Sequence, residues 1–126
     1  MKAKDTLTLI QLNKLPEKNP KLWSVLLWLD ARLAGRPEDL VVTSIYRDTL
    51  DRNGIHGAWR AADVRIRDWA PGLPENMVED LNNCFQYGLK NNLRQGATAH
   101  LRLPAEGQDD TASHIHIQTK GYGPWK

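Results

Sequence analysis

The segment from His114 to Gln118 alternates strictly between polar and apolar residues, with one isoleucine between His114 and His116 and another before Gln118. Because successive side chains of a strand point to opposite faces, this period predicts a half-buried strand. Its isoleucines should face a hydrophobic core, and its two histidines and its glutamine should share the opposite face. Any fold for this chain must therefore keep polar groups on one side of this strand.

A neighbouring strand is predicted over residues 97–103, joined to the first by a polar loop in an antiparallel hairpin. Alternation there sends Ala99, Leu101 and Leu103 to the core and His100 to the other face. Three of the four histidines of the chain would then line one polar surface.

Two helices are predicted upstream of this hairpin. Asn19 and Pro20 provide an N-cap and a first helical residue for a helix over 21–33, whose apolar residues form a single stripe. A second helix is predicted over 75–93. Within it, Cys84 is expected to be a small buried apolar residue.

Two further strands complete the predicted fold. The β-branched run 40–46 favours a buried strand, and the alternation over 61–66 predicts a strand that carries Asp63 on its polar side. Strands and helices in this order indicate one α+β domain over residues 1–126, with a small, mainly antiparallel sheet and two main helices.

Composition excludes several classes of protein. A net charge of +2 is too small to indicate a nucleic-acid partner. The single cysteine cannot form an internal disulfide or a cysteine-rich zinc site. The first residues lack the apolar run of a secretory signal, and no apolar stretch is long enough for membrane insertion. The chain is therefore expected to be cytoplasmic as synthesised.

The residues that carry chemistry are histidines and one aspartate. A catalytic zinc ion needs three protein ligands and one open position for water. His56, Asp63 and one histidine of the last strand could supply that set. The alternative is that His114 and His116 are surface residues of an ordinary amphipathic strand, since a His-x-His pair alone is a weak motif.

Several motifs resemble the zinc D-alanyl-D-alanine peptidases, whose superfamily includes phage endolysin peptidases and the Hedgehog signalling domain. His56, Ala61 and Asp63 match the family's first motif at the correct spacing, although Trp59 stands where glycine is usual. The stretch 42–47 is similar to a family strand that ends in Ser-x-Tyr-Arg, with another glycine replaced by Ile45. The pair His114 and His116 resembles the His-x-His of several branches.

The resemblance implies a Hedgehog/DD-peptidase-like fold and one zinc ion held by His56, Asp63 and His116. It implies that Arg47 stabilises the developing oxyanion or holds a substrate carboxylate, where the alternative is a solvated strand-end charge. His114 is the expected general base or transition-state stabiliser. Many members place an acidic residue three positions before the final histidine, and this chain has Ser113 there. His100 is expected to assist this site or to partner a ligand histidine from the adjacent strand.

The leading hypothesis is therefore a zinc metallopeptidase that cleaves a peptidoglycan stem peptide or cross-link, as a carboxypeptidase or an endolysin-type endopeptidase. Its substrate would lie in the periplasm or cell wall, reached through lysis, a holin or a virion. A second hypothesis is a non-catalytic, zinc-stabilised binding or phage structural module with a phage or prophage assembly partner. A third takes the run from His114 to Gln118 as similar to a histidine-triad-like nucleotidyl transferase.

Overall fold

A computed structural model describes residues 1–45, 59–87, 97–103 and 113–119 of the chain. These residues form three helices and five strands. In chain order the elements are β1 (Lys2–Ala3), α1 (Thr6–Lys18), α2 (Pro20–Leu33), β2 (Val41–Ser44), β3 (Ala61–Arg65), α3 (Leu73–Cys84), β4 (Ala99–Arg102) and β5 (His114–Gln118). The α+β class is confirmed. The specific Hedgehog/DD-peptidase fold and the single domain over 1–126 stay predictions.

The prediction of two main helices is wrong, because α1 precedes the two that the sequence indicates. The Asp5 side chain caps its first turn, and Pro16 lies inside its last turns. Leu12 and Leu15 are buried, whereas Leu7 and Ile10 are about half exposed or more. The apolar residues of α1 thus do not form the clean stripe by which an amphipathic helix is recognised.

The helix α2 follows its sequence pattern closely. Asn19 caps it by accepting a hydrogen bond from Leu22 N, and Pro20 occupies its first turn. Its predicted apolar stripe is entirely buried and consists of Leu22, Val25, Leu26, Leu29 and Leu33. This stripe supplies the helical side of the hydrophobic core.

The five strands lie in the order β1, β2, β3, β5, β4. The pair β1 and β2 is parallel, and the other three pairs are antiparallel, so the sheet is mixed. The predicted antiparallel hairpin of the last two strands is confirmed. β5 lies between β3 and β4. The polar residues predicted on β3 and those predicted on the final hairpin therefore become direct neighbours.

One face of the sheet packs with the helices into a single hydrophobic cluster. The residues of β3 and β5 that the period-two pattern assigns to the core are Ala62, Val64, Ile115 and Ile117, and all four are completely buried. The alternation of these strands is therefore confirmed at every core position. The opposite face of the same strands carries the polar side chains.

Three sequence predictions at the ends of elements are wrong. The second helix does not continue to residue 93, because α3 ends at Cys84 and Phe85 has an extended backbone. Cys84 itself is exposed, and Phe85 packs against the core in its place. Leu103 is 66% exposed, because β4 ends at Arg102 and its alternation ends with it.

The end of α3 has a physical cause in contacts with the start of β4. The Phe85 carbonyl oxygen accepts a hydrogen bond from Thr98 Oγ1, and the same hydroxyl accepts one from Tyr87 N. These bonds use backbone groups that a continuing helix would need for its own ladder.

No helix in the described part of the chain is long and apolar enough to cross a membrane.

Candidate metal centre

The polar face of the sheet carries a row of four side chains across four strands. Asp63 of β3 is directly opposite His116 of β5, and His116 is directly opposite His100 of β4. On the other side, Ser44 of β2 is opposite Asp63. Residues paired in this way have side chains on the same face and close together. The prediction of three histidines on one polar face is therefore confirmed.

A register shift in β2 completes this row. Val42 pairs with Val64, yet Ser44 pairs with Asp63, so one extra residue lies between the two pairs on β2. Thr43 Oγ1 donates a hydrogen bond to the backbone oxygen of Asp63 at 3.3 Å. The hydrogen bond from Thr43 holds the backbone of Asp63 from the β2 side. The pairing with β5 holds it from the other side.

Asp63, His114 and His116 form a compact cluster of potential metal ligands. One ligand atom of each residue lies within 4.8 Å of the other two. Asp63 Oδ1 is 2.9 Å from His116 Nδ1 and 3.7 Å from His114 Nε2. The side chains of Asp63 and His116 are 8% and 12% exposed, and that of His114 is 29% exposed. The cluster is thus nearly buried at Asp63 and accessible at His114.

These distances fit a common metal ion. Zinc binds imidazole nitrogen and carboxylate oxygen at about 2.0–2.2 Å, so two ligand atoms of a tetrahedral site lie about 3.3 Å apart. The separations of 2.9 Å and 3.7 Å fall on either side of that value. The third separation, between the ligand atoms of His114 and His116, is within 4.8 Å. The three residues therefore have the chemistry and the spacing of a metal site.

Gln118 also lies on this face, and no site role is predicted for it from the sequence. It is completely buried, and its Oε1 lies 3.2 Å from His116 Nε2. His116 thus has oxygen atoms beside both ring nitrogens, since Nδ1 faces Asp63. The signal for Gln118 was present in the alternation of β5, which places it two residues after His116 on the same face.

The chain enters β3 through Trp59, whose backbone φ is 59°. This left-handed conformation is unusual for a residue with a side chain and is one that glycine adopts freely. The backbone at Trp59 therefore follows a path typical of glycine. The Trp59 carbonyl oxygen accepts a hydrogen bond from Asn19 Nδ2, and Arg60 Nε donates to the Thr119 carbonyl oxygen, which fixes this entry.

The predicted site residues are only partly among the described ones. Asp63, His114 and His116 come together as described above, and His100 lies in the same row. Arg47 and His56, predicted as an oxyanion-stabilising residue and a zinc ligand, lie outside the described residues. Their roles stay predictions.

Comparison with known proteins gives no relative for this chain. No protein-family model, no curated protein and no solved structure matches it.

Proposed function

We propose that the chain is a zinc-dependent metallopeptidase that cleaves a stem peptide or cross-link of peptidoglycan. The observation that carries the metal part of this proposal is the cluster of Asp63, His114 and His116. The peptidase part rests on the resemblance of His56, Asp63 and the His-x-His pair to the D-alanyl-D-alanine peptidases. Its Hedgehog/DD-peptidase-like fold belongs to the same proposal.

In this proposal His56, Asp63 and His116 hold one zinc ion. When bound, zinc acts as a Lewis acid toward the scissile carbonyl and activates water. Asp63 supplies the one negative charge of the described cluster, and its burial keeps water from competing for it. His114 takes and returns a proton through Nε2, because it is the more exposed histidine and lies beside the ligands. Arg47 stabilises charge on the substrate.

A variant of this assignment makes His114 a ligand instead of a base. His114 Nε2 is close enough to Asp63 Oδ1 to share a metal ion with it. The two assignments differ in what happens to the bound metal when one histidine is removed. If His56 is a ligand and His114 a base, His56→Ala loses zinc and His114→Ala keeps zinc but loses turnover.

The test is the metal content of the purified protein, measured beside the release of peptide from purified peptidoglycan. Wild type, His56→Ala, His114→Ala and the exposed control Asp68→Asn should be compared. We expect about one zinc per chain in wild type and Asp68→Asn. Zinc loss in His114→Ala with retention in His56→Ala would move the ligand role to His114. Wild type without zinc would contradict the whole proposal.

Two outcomes lead to other functions. Full zinc occupancy with no peptide release, unchanged by His114→Ala, would identify a zinc-stabilised binding module with an assembly partner. Phosphoryl transfer that survives a chelator would favour a histidine-triad-like nucleotidyl transferase. The resemblance behind that last alternative assigns no role to Asp63, which lies beside both histidines.

Substrate access belongs to the same proposal. A peptidoglycan peptide lies outside the cytoplasm, so a chain expected to be cytoplasmic as synthesised would reach it through lysis, a holin or a virion.

A further inference from the structure

We propose that Gln118 is the positioning residue that fixes which nitrogen of His116 binds metal. This inference rests on the proposed metal site and names the residue that orients one of its ligands. Gln118 follows His116 by two positions on β5, so the two side chains are neighbours on the polar face. Nothing in the resemblance to the peptidase family points to this position.

The geometry gives the two ring nitrogens of His116 different partners. Nδ1 faces Asp63 Oδ1 at 2.9 Å, on the side of the cluster, and Nε2 faces Gln118 Oε1 at 3.2 Å, away from Asp63. If Nε2 carries a proton and donates it to Gln118, Nδ1 can present a lone pair to a metal ion once its hydrogen bond to Asp63 is replaced by the metal. Ligand histidines commonly donate their second N–H to an oxygen in this way.

The orientation of the Gln118 amide decides between the two forms of the ring. With Oε1 toward His116, the ring keeps its proton on Nε2 and binds metal through Nδ1. With the amide reversed, its N–H would donate to Nε2, and the ring proton would sit on Nδ1, where it blocks the metal position. Only the first orientation is compatible with a metal ion shared by His116 Nδ1 and Asp63.

Burial supports a role beyond folding. Gln118 is completely buried, and within the described part of the chain its Nε2 has no hydrogen-bond partner. A buried amide without a partner is unfavourable for stability, and an apolar side chain of the same shape would avoid that cost. The contribution of the amide is its Oε1, which accepts from His116.

The decisive experiment measures zinc affinity by competition with a chromophoric chelator. Gln118→Met keeps the shape and removes the acceptor, whereas Gln118→Glu keeps an acceptor oxygen. The matched control is Gln86→Met, since Gln86 is an exposed glutamine outside the cluster. We expect Gln118→Met to bind zinc about 10- to 100-fold more weakly than wild type. Gln118→Glu and Gln86→Met should stay close to wild type.

A second readout separates positioning from folding. Urea unfolding of the metal-free proteins should show that Gln118→Met still unfolds cooperatively and close to wild type, because the loss of the acceptor for His116 is offset by the removal of the unpartnered amide nitrogen. If Gln118→Met does not fold, Gln118→Asn, whose shorter side chain withdraws the oxygen from His116, should show the same loss of zinc affinity.

The outcomes distinguish this inference from the function on which it rests. Wild type that binds no zinc would overturn both. Wild type that binds zinc, with Gln118→Met of equal affinity, would overturn the positioning role and leave the metal site intact. Equal weakening in Gln118→Met and Gln118→Glu would also overturn it, because the acceptor oxygen would then be irrelevant.

Discussion

Asp63 Oδ1 lies 2.9 Å from His116 Nδ1, at a directly opposed pair of residues on β3 and β5. The pairing of the two strands, rather than a flexible loop, sets this distance. A site on the middle of paired strands is held by the backbone hydrogen bonds on both sides. The carboxylate and the imidazole therefore meet without reorganisation of the chain.

Asp63→Asn tests the contribution of the carboxylate charge. The amide oxygen of asparagine can still accept a hydrogen bond from His116, so we expect the fold to persist. Because an anionic ligand is lost, zinc affinity should fall by more than about 100-fold. This loss is larger than that expected from changing a residue that only hydrogen-bonds to a metal ligand. Equilibrium zinc binding and circular dichroism measure the two effects. Asp68→Asn is the control, since the Asp68 side chain is 84% exposed.

Asn82→Ala tests how β4 is attached to α3. Asn82 Oδ1 accepts hydrogen bonds from Thr98 N and Ala99 N, each at 2.8 Å, and its Nδ2 donates to Ala99 O at 3.0 Å. Because Thr98 and Ala99 are buried, their backbone groups would lose their partners. We expect a loss of about 2–4 kcal/mol in the free energy of unfolding, measured with urea.

Its control is the adjacent substitution Asn83→Ala. Asn83 is exposed on the same helix turn, and a surface substitution of this kind changes stability by about 0.5 kcal/mol or less. Equal effects of the two substitutions would show that the hydrogen bonds of Asn82 do not hold β4.

The predictable part of the fold was that set by local periodicity. The alternation of β5 places Ile115 and Ile117 in the core and His114 and His116 on the other face, because side chains of a strand alternate whatever the strand pairs with. The N-cap and proline of α2 are local signals of the same kind, since they act within one turn. Two of the three residues of the cluster, His114 and His116, are placed on one face by these rules alone.

The rest depends on contacts between residues far apart in the chain. The shift of β2 that brings Ser44 opposite Asp63 depends on pairing with β3, and the stop of α3 depends on Thr98. The interaction of Gln118 with His116 needs a side-chain orientation that a period-two pattern does not specify. Such long-range effects leave no local signal in the sequence.

Asn19→Ala removes a residue that joins three parts of the chain. Asn19 Oδ1 accepts from Leu22 N at the start of α2, and its Nδ2 donates to Trp59 O and Thr119 Oγ1. Loss of a helix cap and of two further hydrogen bonds, one buried and one partly buried, should lower the free energy of unfolding by about 2–4 kcal/mol. Asn19→Ser keeps a capping oxygen and should recover part of it.

The comparison for this prediction is Asn13→Ala, because Asn13 is exposed on α1. Urea unfolding should give this control a free energy of unfolding close to that of wild type. If the free energy of unfolding of Asn19→Ala were equally close to that of wild type, the hydrogen bonds by which Asn19 holds Trp59, just before β3, would contribute nothing to stability.

The last prediction concerns acid pH and the cap of α1. Asp5 accepts a hydrogen bond from Thr8 N at 2.8 Å, and this bond holds the pKa of its carboxyl below the usual value of 3.8. A lowered folded-state pKa means that the unfolded chain binds more protons, so the contribution of Asp5 is present above 3.8 and is lost as pH falls through the folded pKa. Asp5→Asn keeps a capping oxygen without a titrating group. Urea unfolding from about pH 5 to pH 2.5 should therefore show a shallower loss of stability in Asp5→Asn than in wild type. An identical slope in both proteins would mean that the cap of α1 does not contribute to acid sensitivity.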